Sequence, residues 1–183
     1  MNFADNTFHG LHGDEIQLLR AHLSGLPGQA VEIGCCDGFS TAHILEMSKL
    51  VLTSIDPFVP DSMEPSLLGS PERFAANVAA FGNRSILLRT TSAEAVKSWS
   101  TPLDFLFIDG DHTYAAVLFD LTAWSPHLKP GALLAMHDSR MGRPNSASFH
   151  PGPSQVADAF IYGDSARWEI VGEAFSLTLA RKR

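Results

Sequence analysis

Apolar positions in this chain switch between short continuous runs and stretches where they recur every three or four residues. Continuous runs bounded by turn residues read as strands buried on both faces, and the spaced pattern reads as helices with one buried face. Ile16, Leu19 and Leu23 share one face of a helix predicted from Asp14 to about Ser24, ended by Gly25 and Pro27. Val31-Glu32-Ile33 forms a strand that passes through a glycine turn into a helix over Phe39–Met47. Leu50–Ile55 is a second strand and Ser85–Leu88 a third. Between them, Ser70-Pro71-Glu72 starts a helix to Phe81, with serine as cap and proline in the first turn. Ser92-Ala93-Glu94 opens another helix. The run Leu103–Ile108 is a fourth strand, followed by a helix from Tyr114 to Trp124 and, after Lys129-Pro130-Gly131, a strand over Ala132–Met136.

Strands alternating with helices imply βαβ units, right-handed crossovers and a mostly parallel sheet. The chain closes differently. After a helix near Gln155–Tyr162, the strands Trp168–Val171 and Phe175–Ala180 lie so close in sequence that they pair antiparallel. The predicted fold is therefore α/β, a doubly wound, mostly parallel seven-stranded sheet with a C-terminal antiparallel hairpin, in a single domain over residues 1–183. Segments 57–70 and 139–153, rich in Pro, Ser and Gly, read as loops. Residues 1–12, with Phe3, Phe8, His9 and His12, read as a frayed tail or a flap over a site.

Charge and composition narrow the partners. A formal net charge of −7 argues against a nucleic-acid partner. No apolar run approaches the roughly 20 residues of a membrane span, and the N-terminus has no basic-then-apolar signal pattern. The two cysteines, Cys35 and Cys36, are adjacent, which rarely suits a disulfide, so a reduced, cytoplasmic setting is expected. A homo-oligomer is left open.

The most informative stretch is Glu32-Ile33-Gly34-Cys35-Cys36-Asp37-Gly38 with Ser40 beyond it. It places bare backbone N–H groups and a helix N-terminus at the carboxyl end of a strand, where open α/β sheets bind small ligands. Eighteen residues past Gly38 the second strand ends in Asp56, a carboxylate able to accept hydrogen bonds from a ribose diol. Together these describe a nucleoside pocket. The dinucleotide fingerprint and the P-loop both fail, since the glycine spacing is wrong for one and the lysine is missing for the other.

The pattern E-x-G-x-x-x-G followed by a strand-two aspartate resembles the S-adenosylmethionine (SAM) site of class I methyltransferases, and the likeness runs from about residue 28 to the end. It is most similar to the branch of small, often metal-dependent O-methyltransferases. The resemblance implies that Gly34 and Gly38 let the backbone approach the methionine part of SAM, and that Ser40 binds its carboxylate. It also implies that Glu32 orients the turn near the amino group, that Asp56 holds the ribose, and that Ser92 and Ala93 border the adenine.

A second stretch, Asp109-Gly110-Asp111-His112, is answered by His137-Asp138. Strands four and five are neighbours in a doubly wound sheet, so Asp109 and Asp138 converge on one edge, as a hard cation such as Mg²⁺ requires. The resemblance makes Asp109, His137 and Asp138 the metal set, with Asp109 also beside the cofactor. His137 departs from the family's usual acidic residue and opens the site to transition metals; its other role is as a hydrogen-bonded core residue. His112 stands where related enzymes carry a lysine base, and its ordinary pKa near ~6.5 suits a general base, unless it only binds locally at the helix start. Asp111 either caps that helix or supports the site. The expected function is O-methylation of a small-molecule hydroxyl assisted by a divalent metal and a His base. The alternatives are a metal-independent small-molecule methyltransferase and a non-catalytic SAM-binding module. Phe58, Met63, Met141, Phe149 and His150 are expected to shape the acceptor pocket.

Overall fold

The computed structural model describes residues 10–66, 68–146 and 148–183. Phe3, Phe8 and His9 therefore lie outside the described residues. Strands β1 (Pro27–Ile33), β2 (Lys49–Ile55), β3 (Ser85–Leu88), β4 (Leu103–Ile108), β5 (Leu128–Met136), β6 (Trp168–Ala174) and β7 (Leu177–Lys182) form one sheet. Their order is β3-β2-β1-β4-β5-β7-β6. The first five strands are parallel, and β7 lies antiparallel between β5 and β6. Helices α1 (Gly13–Leu23) and α2 (Phe39–Met47) cover one face, while α5 (Tyr114–Trp124) and α6 (Pro151–Ala157) cover the other. Two more α-helices lie among the described residues, α3 (Pro71–Val78) and the single turn α4 (Ser92–Ala95). No helix among the described residues is long and apolar enough to cross a membrane.

The strand period divides the core. Val31, Ile33, Leu106, Ile108 and Leu134 pack with Val117, Leu121 and Trp124 of α5 and Val156 of α6. Ala30, Leu50, Leu52, Phe105 and Phe107 pack with Leu19 and Leu23 of α1 and Ile44 and Leu45 of α2. Both faces of the central strands are thus apolar, which is why they read as continuous runs.

Register then positions the chemistry. Ile33 pairs with Ile55 on one side and Ile108 on the other, and Ile108 pairs with Met136. Four strands end in one row, so Gly34, Asp56, Asp109 and His137 emerge side by side at the carboxyl edge. The strand order reverses between β1 and β4, the position at which such sheets open a ligand crevice.

Some boundaries differ from the sequence reading for identifiable reasons. α1 starts at Gly13 because His12 caps it, its imidazole accepting from Asp14 N–H while the Glu15 carboxylate accepts from His12 N–H. α3 stops at Val78 and tightens into a 3₁₀ segment over Ala79–Arg84. α6 starts at Pro151 rather than Gln155, since Pro151 and Pro153 occupy the first turn, where no N–H is needed. The hairpin turn falls later than expected, with Phe175 at φ 47° beginning the reversal.

Candidate active site

The turn after β1 is fixed by close approach as much as by hydrogen bonds. Gly34 has φ +82°, and a Cβ there would lie 2.0 Å from the backbone oxygen of Asp109. Gly38 also sits at positive φ, and a Cβ on it would press on the Phe74 ring at 2.9 Å. Gly34 faces the cleft, whereas Gly38 is outside its lining and serves the packing of α3 on α2. Glu32 is wholly buried beneath the turn, where the hydroxyls of Ser40, Thr41 and Ser54 donate to it. Burial pushes its carboxyl up to about 7 against the pull of those hydroxyls. Ser40 lines the cleft, but its hydroxyl is turned to Glu32.

Asp56 fastens two neighbouring turns. Its Oδ2 accepts from Cys35 N–H at 3.0 Å and Cys36 N–H at 2.9 Å, and its Oδ1 accepts from Phe58 N–H at 2.6 Å. A carboxylate has about four acceptor positions, so capacity remains for a ligand hydroxyl. Across the cleft, Ser92 donates to Asp120, and Ala93 contributes its surface beside it. Asp120 lies on an otherwise apolar helix, and burial pushes its carboxyl up to about 7. Sequence reasoning missed Asp120; its signal is an acid amid the apolar run of α5.

The other end of the edge holds a cluster of imidazoles and carboxylates. His137 Nδ1 faces Asp109 Oδ1 at 3.1 Å and Asp138 Oδ2 at 3.4 Å, and its Nε2 lies 3.2 Å from Ser176 Oγ. His112 Nε2 is 3.3 Å from Asp138 Oδ2 and 3.9 Å from Asp109 Oδ1, while its Nδ1 is 3.0 Å from Asp61 Oδ2. Burial opposes a charged His112, but Asp138, Asp109 and Asp61 outweigh it and push its pKa up to about 9. Burial likewise works against the charge on His137, yet Asp109 and Asp138 raise it well above the ordinary value. Asp138 is held far below the carboxylate range despite its burial, because both imidazoles face it.

Two partners of this cluster were not foreseen. Glu15 of α1 is fully buried; its Oε1 accepts from the backbone and hydroxyl of Ser176, and its Oε2 lies 3.4 Å from His137 Nε2. In the sequence it reads as an ordinary first-turn acid. Asp61, in the long loop after β2, joins His112 through both backbone and side chain. Asp111 does not cap α5, a task taken by the hydroxyl of Thr113. It accepts instead from Ser62 N–H and Thr113 N–H, clamping the 57–70 loop to the β4 edge, and is pushed down to about 2 by those bonds against burial.

Both halves open into one cleft of about 1070 Å³ that runs from Gly34 and Asp56 past Ser92 and Asp109 to His137 and Asp138. Among the described residues its lining carries eight carboxylates and no lysine or arginine. Gly10 and Leu11 reach it from the N-terminal side. Of the loop residues expected at the acceptor end, Phe149 and His150 line it, whereas Phe58 packs toward Phe74 and Met63 and Met141 are exposed.

Asp109, His137 and Asp138 bring one ligand atom each within 4.8 Å of one another. His137 Nδ1 is buried yet has no hydrogen-bond partner among the described residues, despite facing two carboxylates. A buried nitrogen aimed between two carboxylate oxygens without bonding either fits a cation held by all three.

The sequence pattern of the methyltransferase domain family matches residues 31–139, from β1 to just past Asp138. The chain belongs to this family and is a class I SAM-dependent methyltransferase. Solved structures carry the same fold. The O-methyltransferase NovP aligns with a TM-score of 0.69 at 14% identity, covering 92% of this chain and 79% of that one. An O-methyltransferase from Bacillus cereus in complex with S-adenosylhomocysteine (SAH) aligns with a TM-score of 0.65 at 13% identity, covering 96% and 83%. An rRNA methylase from Streptococcus thermophilus aligns with a TM-score of 0.60 at 13% identity, covering 91% and 93%.

Proposed function

We propose that this enzyme methylates a hydroxyl oxygen of a small molecule, with a divalent cation held by Asp109, His137 and Asp138 and with His112 receiving the hydroxyl proton. The observation that carries this reading is the unpartnered His137 Nδ1 between two carboxylates, on the wall of a cleft that continues to the glycine turn. SAM brings an activated sulfonium methyl group, and the cation lowers the pKa of a bound hydroxyl.

The chain's own residues then have mainly positioning work. The new O–CH₃ bond forms as the S–CH₃ bond breaks, so oxygen, methyl and sulfur must lie in line. The bare backbone at Gly34 and the N-terminus of α2 receive the methionine end of the cofactor, Asp56 the ribose, and Ser92 and Ala93 the adenine. Glu32 acts from below by fixing Ser40 and Thr41 at the start of α2. His112 owes its raised basicity to Asp138, Asp109 and Asp61. With a cation held by Asp109 and Asp138, those two carboxylates would support the charged imidazole less, and His112 Nε2 would be free to take a proton at neutral pH.

The acidic lining supports a small acceptor over RNA, because a polyphosphate chain meets no lysine or arginine among the described residues there. The test is methyl transfer from labelled SAM to a panel of catechols and sugars, with Mg²⁺ and with chelator. Transfer lost in chelator and in Asp109→Ala, with SAH still bound, is the expected result. Full activity in chelator overturns the metal and favours a metal-independent enzyme. SAH binding without transfer to any acceptor favours a binding module.

A further inference from the structure

His150 lines the acceptor end of the cleft, and the packing of α6 sets its place. It immediately precedes α6, and α6 packs on the chain after β4: a Cβ on Gly152 would lie 2.2 Å from the backbone oxygen of His112. Only glycine allows this approach, and it lays the His150 ring on the His112 ring, with centroids 4.0 Å apart and planes inclined by 23°. The Phe149 ring lies against His150, with centroids 4.1 Å apart and planes tilted by 40°. The His150 side chain is 5% exposed. Its Nε2 points inward, 4.0 Å from Asp138 Oδ2 and 3.4 Å from Glu64 Oε2.

His112, Asp138 and His150 therefore present two imidazole nitrogens and one carboxylate oxygen, all within 4.8 Å of one another. Tetrahedral ligands at about 2.0–2.2 Å from a zinc ion stand roughly 3.3–3.6 Å apart. His112 and Asp138, at 3.3 Å, already meet that spacing, whereas His150, 4.0 Å from Asp138, must leave its stack on His112 to turn its Nε2 lone pair onto the same ion. The donor set also differs in kind from Asp109, His137 and Asp138. Two imidazoles suit zinc and its transition-metal neighbours, and they are poor ligands for Mg²⁺.

We propose that His112, Asp138 and His150 form a second cation site, selective for zinc-like ions, whose occupation inhibits the enzyme. A zinc ion there takes the lone pair of His112 Nε2 and with it the capacity to accept a proton. Asp138 is shared by both sites, so the inhibitory ion also competes for a ligand of the activating one. The inhibitory half rests on His112 acting as base; the binding half does not.

The experiment titrates the metal-stripped protein with Zn²⁺ in saturating Mg²⁺, following binding by competition with a chromophoric chelator. Co²⁺ serves as a second probe through its visible absorption. Wild type is expected to bind Zn²⁺, His150→Ala at least about tenfold more weakly, and Asp109→Ala within a few-fold of wild type. His150→Gln, which keeps a polar group of similar size, repeats the test if the alanine variant does not fold. Zn²⁺ binding unchanged in both His150 variants overturns the site. Loss of binding in Asp109→Ala with His150→Ala unaffected overturns it as well, by assigning the ion to the other set. Zinc bound through His150 without inhibition of methyl transfer overturns the inhibitory role and the assignment of His112 as base, while leaving the site.

Discussion

Gly34 and Asp109 are packed backbone to backbone, with only the glycine hydrogen between the two strand ends. The turn that receives the cofactor and the edge that carries the cation ligands are thus one rigid unit. Replacement of Gly34 by alanine combines a severe overlap with a positive φ. It is expected to cost more than about 2 kcal/mol of unfolding free energy in urea titration. SAH binding and the Mg²⁺ response should weaken together. A fully stable Gly34→Ala protein contradicts the close approach.

Glu32 makes stability depend on pH in a direction opposite to an ordinary surface acid. Its carboxyl is raised from 4.5 to about 7 by burial, so folding favours its neutral form. That contribution is fully present below about pH 4.5 and is lost as pH rises through 7. Over this window wild type is expected to lose about 3 kcal/mol relative to Glu32→Gln, which cannot ionise. Denaturation curves of both proteins at several pH values check this. A difference that stays flat means the three hydroxyls keep Glu32 ionised throughout.

His112 should separate chemistry from binding. His112→Ala is expected to lower turnover by on the order of 10²–10⁴. Its affinity for SAH should change little, since the cofactor end of the cleft begins at Gly34 and Asp56. Calorimetry with SAH beside a turnover assay tests the split. Loss of SAH binding would make His112 a structural support of the pocket.

The parallel sheet was legible because its central strands are apolar on both faces, and β1, β2 and β4 are each closed by a glycine or an aspartate. Asp56, Asp109 and Asp138 could be placed at one edge from that pattern alone, since aligned parallel strands end in a common row. The uses of particular side chains were harder to read. Gly38 looks like a ligand-facing glycine, and only the position of Phe74 shows that it makes room for a helix. Pro151 and Pro153 read as breakers, whereas they begin α6. Glu15 and Asp61 reach the cluster from elements distant in sequence, and no local spacing encodes such a meeting.

Asp56 bears on the central claim most directly, since it shapes the turn at Cys35 and Cys36 and faces the cleft. Asp56→Ala leaves three backbone N–H groups without their acceptor and is expected to lower stability by roughly 1–3 kcal/mol before any ligand is added.

The decisive measurement is the thermal unfolding of wild type and Asp56→Ala with and without SAH. At about 100 times its Kd, the ligand adds roughly 2.7 kcal/mol to the folded state. A clear rise of the midpoint in wild type that shrinks or vanishes in Asp56→Ala is the predicted result. No rise in wild type at saturating SAH contradicts the cofactor site at the glycine turn.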